Sequence, residues 1–449
     1  MSAERTTPAA AGEAAAPSGD ATALLQSMLR FDTVNPPGQE RAVQEHLAAE
    51  LTAAGLECEL LGAEPERPNL LARLRAPEGA PPGPTLCYLG HVDTVLADAG
   101  EWTHDPWSGD LADGYVWGRG ALDMKSQVAA ECAAAIALAR SGWRPARGEL
   151  LIAAVVDEET GGELGAKWLT ETHPDRVRCD LLVNEGGGAF FEYGGRRCYG
   201  VCCAEKGVFR FTITTSGVAG HASMPAMGEN ALLKMAPLLE RFAARRPGYR
   251  LTDEPLAFLA GIGEDAADPA ASIARLRAHD ARLAVFFEPM LGVTFTPTKI
   301  SASEKVNVIP SRAELKVDCR VPPGLGEREV CEDVAAVLGP EDGWRLEFTE
   351  RVVGNSSPVA GELMDAIAGW VAEHDPGAVS VPVVLPGFTD SRHFRLAFPE
   401  CVAYGFFPHR HQSLVDSAPL VHGADERIDE RDLGFATRMF EDLARRLLG

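Results

Sequence analysis

Leu150-Leu151-Ile152-Ala153-Ala154-Val155-Val156-Asp157-Glu158-Glu159-Thr160-Gly161-Gly162 joins an unbroken apolar run to three successive carboxylates and a glycine pair. An apolar run of this length, closed by a turn signal, reads as a strand buried on both faces. Carboxylates at the end of such a strand repel one another unless a cation or a proton offsets their charge. A charge run elsewhere is a solvated face; attached to a buried strand it points to metal binding or catalysis. Working outward, Leu86-Cys87-Tyr88-Leu89 and Leu181-Leu182-Val183 are further short apolar strands, and residues 126–139 form an Ala-rich helix. Strands alternating with helices imply an α/β layer around a largely parallel sheet.

The pattern changes near residue 204. Val208-Phe209-Arg210-Phe211-Thr212-Ile213-Thr214 alternates with period two, as a half-exposed antiparallel strand does. A helix over 230–244, a Pro/Gly break and helical pieces through 250–290 follow. Strands around Val293, Val306 and Leu315-Lys316-Val317, a helix over 327–338 and a strand over 345–350 complete a sheet-plus-helices unit. Helix–strand alternation resumes with 363–373 and 401–406, and a helix over 430–448 ends the chain. The expected fold is therefore α/β: a domain with a mostly parallel central sheet (21–203 and 352–449), interrupted by a smaller α+β domain (204–351).

Ahead of these, residues 21–55 read as two helices split by Asn35-Pro36-Pro37-Gly38. Residues 1–20, rich in Ala, Pro and Gly, lack a signal-peptide pattern and read as a disordered tail. The chain has 449 residues, 46% of them hydrophobic, enough for a sizeable core and for two domains. Its net charge of −23 lacks the basic footprint that nucleic acid or an anionic membrane requires, and no long apolar span appears. Ten scattered cysteines without a CxxC pair fit reduced thiols and a cytoplasmic location.

Four more stretches carry chemistry. Gly90-His91-Val92-Asp93-Thr94 follows a strand, where His and Asp two apart serve as ligand and supporting carboxylate. Gly118-Arg119-Gly120-Ala121-Leu122-Asp123-Met124-Lys125 presents a carboxylate before the Ala-rich helix, although Asp123 alone reads equally well as a helix cap. Asn184-Glu185-Gly186-Gly187-Gly188 follows another apolar strand, and Val421-His422-Gly423-Ala424-Asp425-Glu426 precedes the last helix. Together His91, Asp123, Glu159, Glu185 and His422 form an N/O donor set suited to Zn²⁺ or a similar ion.

In order and spacing, GHVDTV, GRGALDMKS, DEETGG, NEGGG and VHGADE resemble the M20 metallopeptidases, a family of aminoacylases, desuccinylases, carboxypeptidases and dipeptidases. The resemblance runs from about residue 20 to the end of the chain. It makes the domain with the parallel sheet catalytic and the inserted one a lid or dimerisation domain. It implies two divalent ions, Zn²⁺ with Co²⁺ as the alternative. His91 and Glu185 would hold one, Glu159 and His422 the other, and Asp123 would bridge them. It makes Asp93 the partner of His91 and Glu158 the general base, and it implies a cis peptide between Asp123 and Met124.

In the inserted unit, Ala219-Gly220-His221-Ala222-Ser223 resembles the stretch whose His stabilises the oxyanion, in dimeric members across the subunit boundary. Asn307 and Arg320 resemble residues that hold the substrate carboxylate, a task to which the Arg fork is suited. Pro386-Gly387-Phe388-Thr389-Asp390-Ser391-Arg392 resembles a substrate-side turn in which Phe388 replaces a glycine. His393, His409 and His411 are not assigned as ligands.

The resemblance thus implies hydrolysis of an amide or peptide bond in a small N-acyl amino acid or short peptide bearing a free carboxylate. An exopeptidase is the alternative to a deacylase. A catalytically dead metal-binding protein would have lost the base or a ligand, and none is lost. A homodimer through the inserted domain and hinge closure near residues 204 and 352 are further expectations.

Overall fold

A computed structural model describes residues 18–246 and 248–449. Most of the expected tail, and Pro247 of the expected break, lie outside the described residues. Residues 18–20 correct the tail boundary, because the first helix, Ser18–Leu29, already begins at Ser18.

The apolar runs assemble into one ten-stranded sheet. Along its main path the order is Glu57–Leu61, Asn69–Arg75, Glu149–Val155, Thr85–His91, Leu181–Asn184, Val402–Gly405, Arg196–Glu205 and Asn355–Ser356. Val379–Leu385 and Phe190–Tyr193 both pair with Arg196–Glu205. The four strands from Glu149–Val155 to Val402–Gly405 run parallel, and antiparallel pairs flank them. This is the mostly parallel central sheet expected from strand–helix alternation.

On one face lie the helices Ser18–Leu29, Arg41–Ala53, Lys125–Arg140, Glu362–His374 and Glu430–Leu448, around a core that includes Tyr88, Trp370 and Phe440. The Ala-rich helix is buried along almost its whole length, and small side chains let it sit against the sheet. A Cβ on Gly90 would lie 2.6 Å from Val128 Cγ2, so glycine is required where helix and sheet approach beside His91.

A separate five-stranded antiparallel sheet is built from Gly207–Val208, Phe211–Ser216, Thr294–Ser301, Arg312–Val321 and Trp344–Phe348. Helices Ala231–Ala244 and Glu327–Leu338 share a core with it. The strand read over 208–214 is two pieces, because the Arg210 carbonyl turns to accept from Thr349 and Glu350 N–H. The strand expected around Val306 is the short Val308–Ile309, which pairs with Gly220–His221, while Val306 is exposed. The helices Asp253–Ile262, Pro269–His279 and Ala281–Phe287 fall inside the run read as the inserted unit. They pack on the large sheet, where Phe258 and Phe287 join Phe191, Cys198, Val381 and Val383. No helix among the described residues is long and apolar enough to cross a membrane.

Candidate metal centre

Thr85–His91 lies between Glu149–Val155 and Leu181–Asn184 in parallel register, so three strand ends emerge side by side. His91 ends the first, Asp157, Glu158 and Glu159 follow the second, and Glu185 follows the third. Carboxyl ends of parallel strands are where open α/β sheets place ligands. Asp123 arrives on the loop before the Ala-rich helix, next to a cis Asp123–Met124 peptide. His422 arrives from the loop before the last helix at φ +59, a conformation few non-glycine residues adopt.

Asp123 stands between the two histidines. Its Oδ1 is 3.1 Å from His91 Nε2 and its Oδ2 is 3.1 Å from His422 Nε2. Glu159 Oε2 lies 3.2 Å from His422 Nε2, and Glu185 Oε1 lies 3.9 Å from His91 Nε2. Glu158 Oε2 is also 3.9 Å from His91 Nε2. Donor atoms of His91, Glu158 and Glu185, and of His91, Asp123 and Glu159, come close enough together to hold an ion.

Four carboxylates thus converge on two imidazoles, His91 buried and His422 half-exposed. Burial, followed by the charge of Glu185, pushes the Glu158 carboxyl well above the usual range, and burial and then Asp123 do the same to Glu185. Asp123 is held low against burial by its hydrogen bonds to His422 and His91. Hydrogen bonds to Asp123 and Glu159 raise His422 to about 10. Protein charges alone leave the cluster over-supplied with anions, and Glu159 Oε1 is buried with no hydrogen-bond partner among the described residues. Divalent cations satisfy both features, and the imidazole–carboxylate donor set suits zinc-like ions.

The groups around the cluster fix its geometry. Asp93, fully buried, lies with Oδ1 3.5 Å from His91 Nδ1 and accepts from Glu158 and Glu159 N–H at 3.2 Å each. It therefore ties the histidine to the carboxylate turn rather than facing the cavity. Asn35 Nδ2 donates to Asp93 at 2.8 Å and to Asp157 at 3.1 Å. Asp157 pairs with buried Arg67 at 3.1 Å, and Arg67 pairs with buried Glu40 at 2.7 Å. Glu426 accepts from the N–H groups of Gly120, Leu122 and Asp123 and pairs with Arg119 at 2.5 Å. Arg119 also donates to the His422 and Gly423 carbonyls, which joins the two loops that present Asp123 and His422. Glu40, Arg67, Arg119 and Glu426 were missed in the sequence reading. For Arg119 and Glu426 a signal existed, their place in the stretches that present Asp123 and His422.

A cavity of about 510 Å³ opens from the cluster, with Asp123, Glu158, Glu159, Glu185 and His422 in its wall. His221 and Asn307 do not reach it. They neighbour each other on the Gly220–His221 and Val308–Ile309 pair, where the Asn307 carbonyl accepts from Ala222 N–H and His221 Nδ1 meets Ser223. Arg320 pairs with Asp318 at 2.8 Å and reaches the carbonyl of Pro386, which lines the cavity. Gly387 lies between the lining residues Pro386 and Phe388. Of the unassigned histidines, His411 is exposed, His393 Nε2 lies 3.3 Å from the Gly161 carbonyl, and His409 lines the cavity.

Comparison with known proteins bears on the family and the fold. A succinyl-diaminopimelate desuccinylase of Paracoccus denitrificans (strain Pd 1222) is 29% identical over 441 residues, covering 96% of this chain and 99% of that protein. The fold matches an M20 family metallo-carboxypeptidase from Sulfolobus solfataricus with a TM-score of 0.66, at 16% identity over 96% of this chain and 99% of that one. It matches human carnosine dipeptidase 1 with a TM-score of 0.64, at 16% identity and 96% coverage of each chain. The family model for peptidase family M20/M25/M40 matches residues 87–446. The chain is a metal-dependent hydrolase that belongs to peptidase family M20/M25/M40.

Proposed function

We propose that the chain hydrolyses the amide or peptide bond of a small N-acyl amino acid or short peptide with a free carboxylate. His91 and Glu185 would hold one ion, Glu159 and His422 the other, and Asp123 both. The observation that carries this reading is the placement of Asp123, with one oxygen 3.1 Å from each histidine. Zn²⁺ fits this donor set, with Co²⁺ as the alternative. Divalent cations bound there supply Lewis acidity, lowering the pKa of a water and polarising the scissile carbonyl.

The protein's own groups then do the proton work. Glu158 lines the cavity beside the cluster without a hydrogen bond to any ligand residue, which suits a group that accepts the water's proton and delivers it to the leaving nitrogen. Asp93 keeps the His91 ring oriented, its main-chain carbonyl 3.0 Å and its carboxylate 3.5 Å from Nδ1. Arg320, beside Pro386 at the cavity rim, is suited to grip the substrate carboxylate. His221 and Asn307 would join the site by hinge closure of a lid spanning 204–351, or across a homodimer boundary formed by that unit. Small-angle scattering of the zinc form should report a more compact particle on adding a product-like inhibitor; an unchanged profile removes closure.

Chelation gives the direct test of the reading. Dialysis against a chelator should abolish turnover on a panel of acyl amino acids and dipeptides, and Zn²⁺ or Co²⁺ should restore it. The same panel separates a deacylase from an exopeptidase. Each ion at a hundred times its Kd should add about 2.7 kcal/mol to the unfolding free energy, so calorimetry should show the melting temperature rise with metal. Full activity in chelator, with metal analysis confirming its removal, would refute the reading.

A further inference from the structure

Two kinds of residue line the cavity beside the metal cluster. Carboxylates and His422 form one set; the other is hydrocarbon, with Phe191, Val383, Phe286, Phe287 and Leu414 in one apolar cluster and Phe388 also in the wall. The helical run over 253–291 supplies Phe286 and Phe287 of this apolar wall. Gly186, Gly187, Gly188 and Gly200 contribute wall without side chains. At Gly188, φ is +104 and a Cβ would lie 2.1 Å from the Phe407 carbonyl oxygen, so only glycine keeps that stretch in place.

No Lys or Arg is among the described residues that line this cavity. With Arg320 at the rim taken by the substrate's first carboxylate, a second one, such as a succinyl group carries, would meet no counter-charge among the described lining residues, and burying an unpaired charge is strongly unfavourable. The apolar wall offers instead what an aromatic or branched hydrocarbon group needs.

The wall also carries polar side chains, of which Ser417 is satisfied by the Ser413 carbonyl and His409 is not satisfied. His409 is 6% exposed, lines the cavity beside Phe407, and has no hydrogen-bond partner among the described residues at either ring nitrogen. Burial pushes its imidazole down to about 4, so it is neutral and carries one donor and one acceptor. A buried polar group without a partner is costly, and a ligand atom that pairs with it recovers that loss.

We propose that this cavity receives an aromatic or branched hydrocarbon substituent of the scissile amide, and that His409 hydrogen-bonds one uncharged polar group on that substituent. The proposal rests on the amide-hydrolase reading above and names its substrate class.

The test uses four amides and two readouts. N-(3-phenylpropanoyl)glycine and N-acetyl-phenylalanine carry a ring on opposite sides of the bond, whereas N-acetylglycine and N-succinylglycine carry none. Binding is measured calorimetrically on the zinc-loaded Glu158→Gln protein, so it does not depend on turnover, and hydrolysis is measured on the zinc-loaded wild type. One ring-bearing amide should bind at least about thirtyfold tighter than both ring-free ones, the scale expected for burying a phenyl group. Phe286→Ser should cut that advantage about tenfold. Leu414→Asn provides the same test should circular dichroism show the first variant misfolded. Adding a 4-hydroxyl to the preferred ring should tighten binding in the wild-type pocket and not in His409→Phe.

N-succinylglycine binding as tightly as the ring-bearing amides would overturn the proposal, as would folded variants that leave the preference intact. A hydroxyl effect that survives in His409→Phe would remove the role of His409. Hydrolysis without ring preference would sink the pocket and leave the amide-hydrolase reading standing. Tight binding of a ring-bearing amide, with no amide cleaved by the wild type, would do the reverse.

Discussion

Glu158→Gln is expected to lower kcat by about a thousandfold while the protein keeps two metal ions, because general acid–base catalysis contributes roughly 10²–10⁴-fold. The substitution is close to isosteric, so the cavity keeps its shape, but an amide cannot accept the water's proton or return it to the leaving nitrogen. The pairing of kinetics with metal analysis decides between two roles. Glu158 Oε2 and Glu185 Oε1 are each 3.9 Å from His91 Nε2, so distance alone would let either serve as a ligand. Loss of one ion on Glu158→Gln would reassign Glu158 as a ligand, and a near-normal kcat would remove it from catalysis. Glu185→Gln is the contrasting variant and should lose metal together with activity.

The parts of this site that the sequence made legible are those carried by local pattern. His91, Glu159 and Glu185 each follow an apolar strand, and a buried strand ending in charge is a readable anomaly. The fold was legible for the same reason, since strand–helix alternation directly implies a parallel layer. The groups that hold the site were not legible, because their partners are remote. Glu40, Arg67 and Asp157 meet across 27 and 90 residues, and Arg119 meets Glu426 across 307. No period or spacing encodes such pairs. The helices over 253–291 read correctly as helices, but helical periodicity says nothing about which of two sheets a helix covers. The apolar cavity was hidden likewise, because Phe191, Phe287 and Phe407 look like ordinary core residues until the fold brings them into one wall with the carboxylates.

Glu426 shows how much of the site depends on such a remote group, and Glu426→Ala should be the most destabilising single change near the centre. The carboxylate is fully buried and accepts three backbone N–H bonds, at 2.6 Å from Leu122, 3.0 Å from Asp123 and 3.1 Å from Gly120. It also pairs with Arg119, itself 3% exposed. Removing the carboxylate leaves a buried guanidinium and three N–H groups uncompensated, and breaking a buried pair in this way costs about 3–5 kcal/mol. Urea unfolding of chelator-treated protein should show that loss apart from any contribution of metal. Glu426→Gln turns one acceptor oxygen into a donor facing N–H groups, and should cost about 1–3 kcal/mol. A purely structural role would stop there. A positioning role predicts more, because the same carboxylate fixes the loop that presents Asp123, and Arg119 fixes the loop that presents His422. Zinc affinity of the folded Glu426→Gln protein should therefore fall at least about tenfold, the lower end of what outer partners of metal ligands contribute. Unchanged zinc affinity with lowered stability would confine Glu426 to holding the fold.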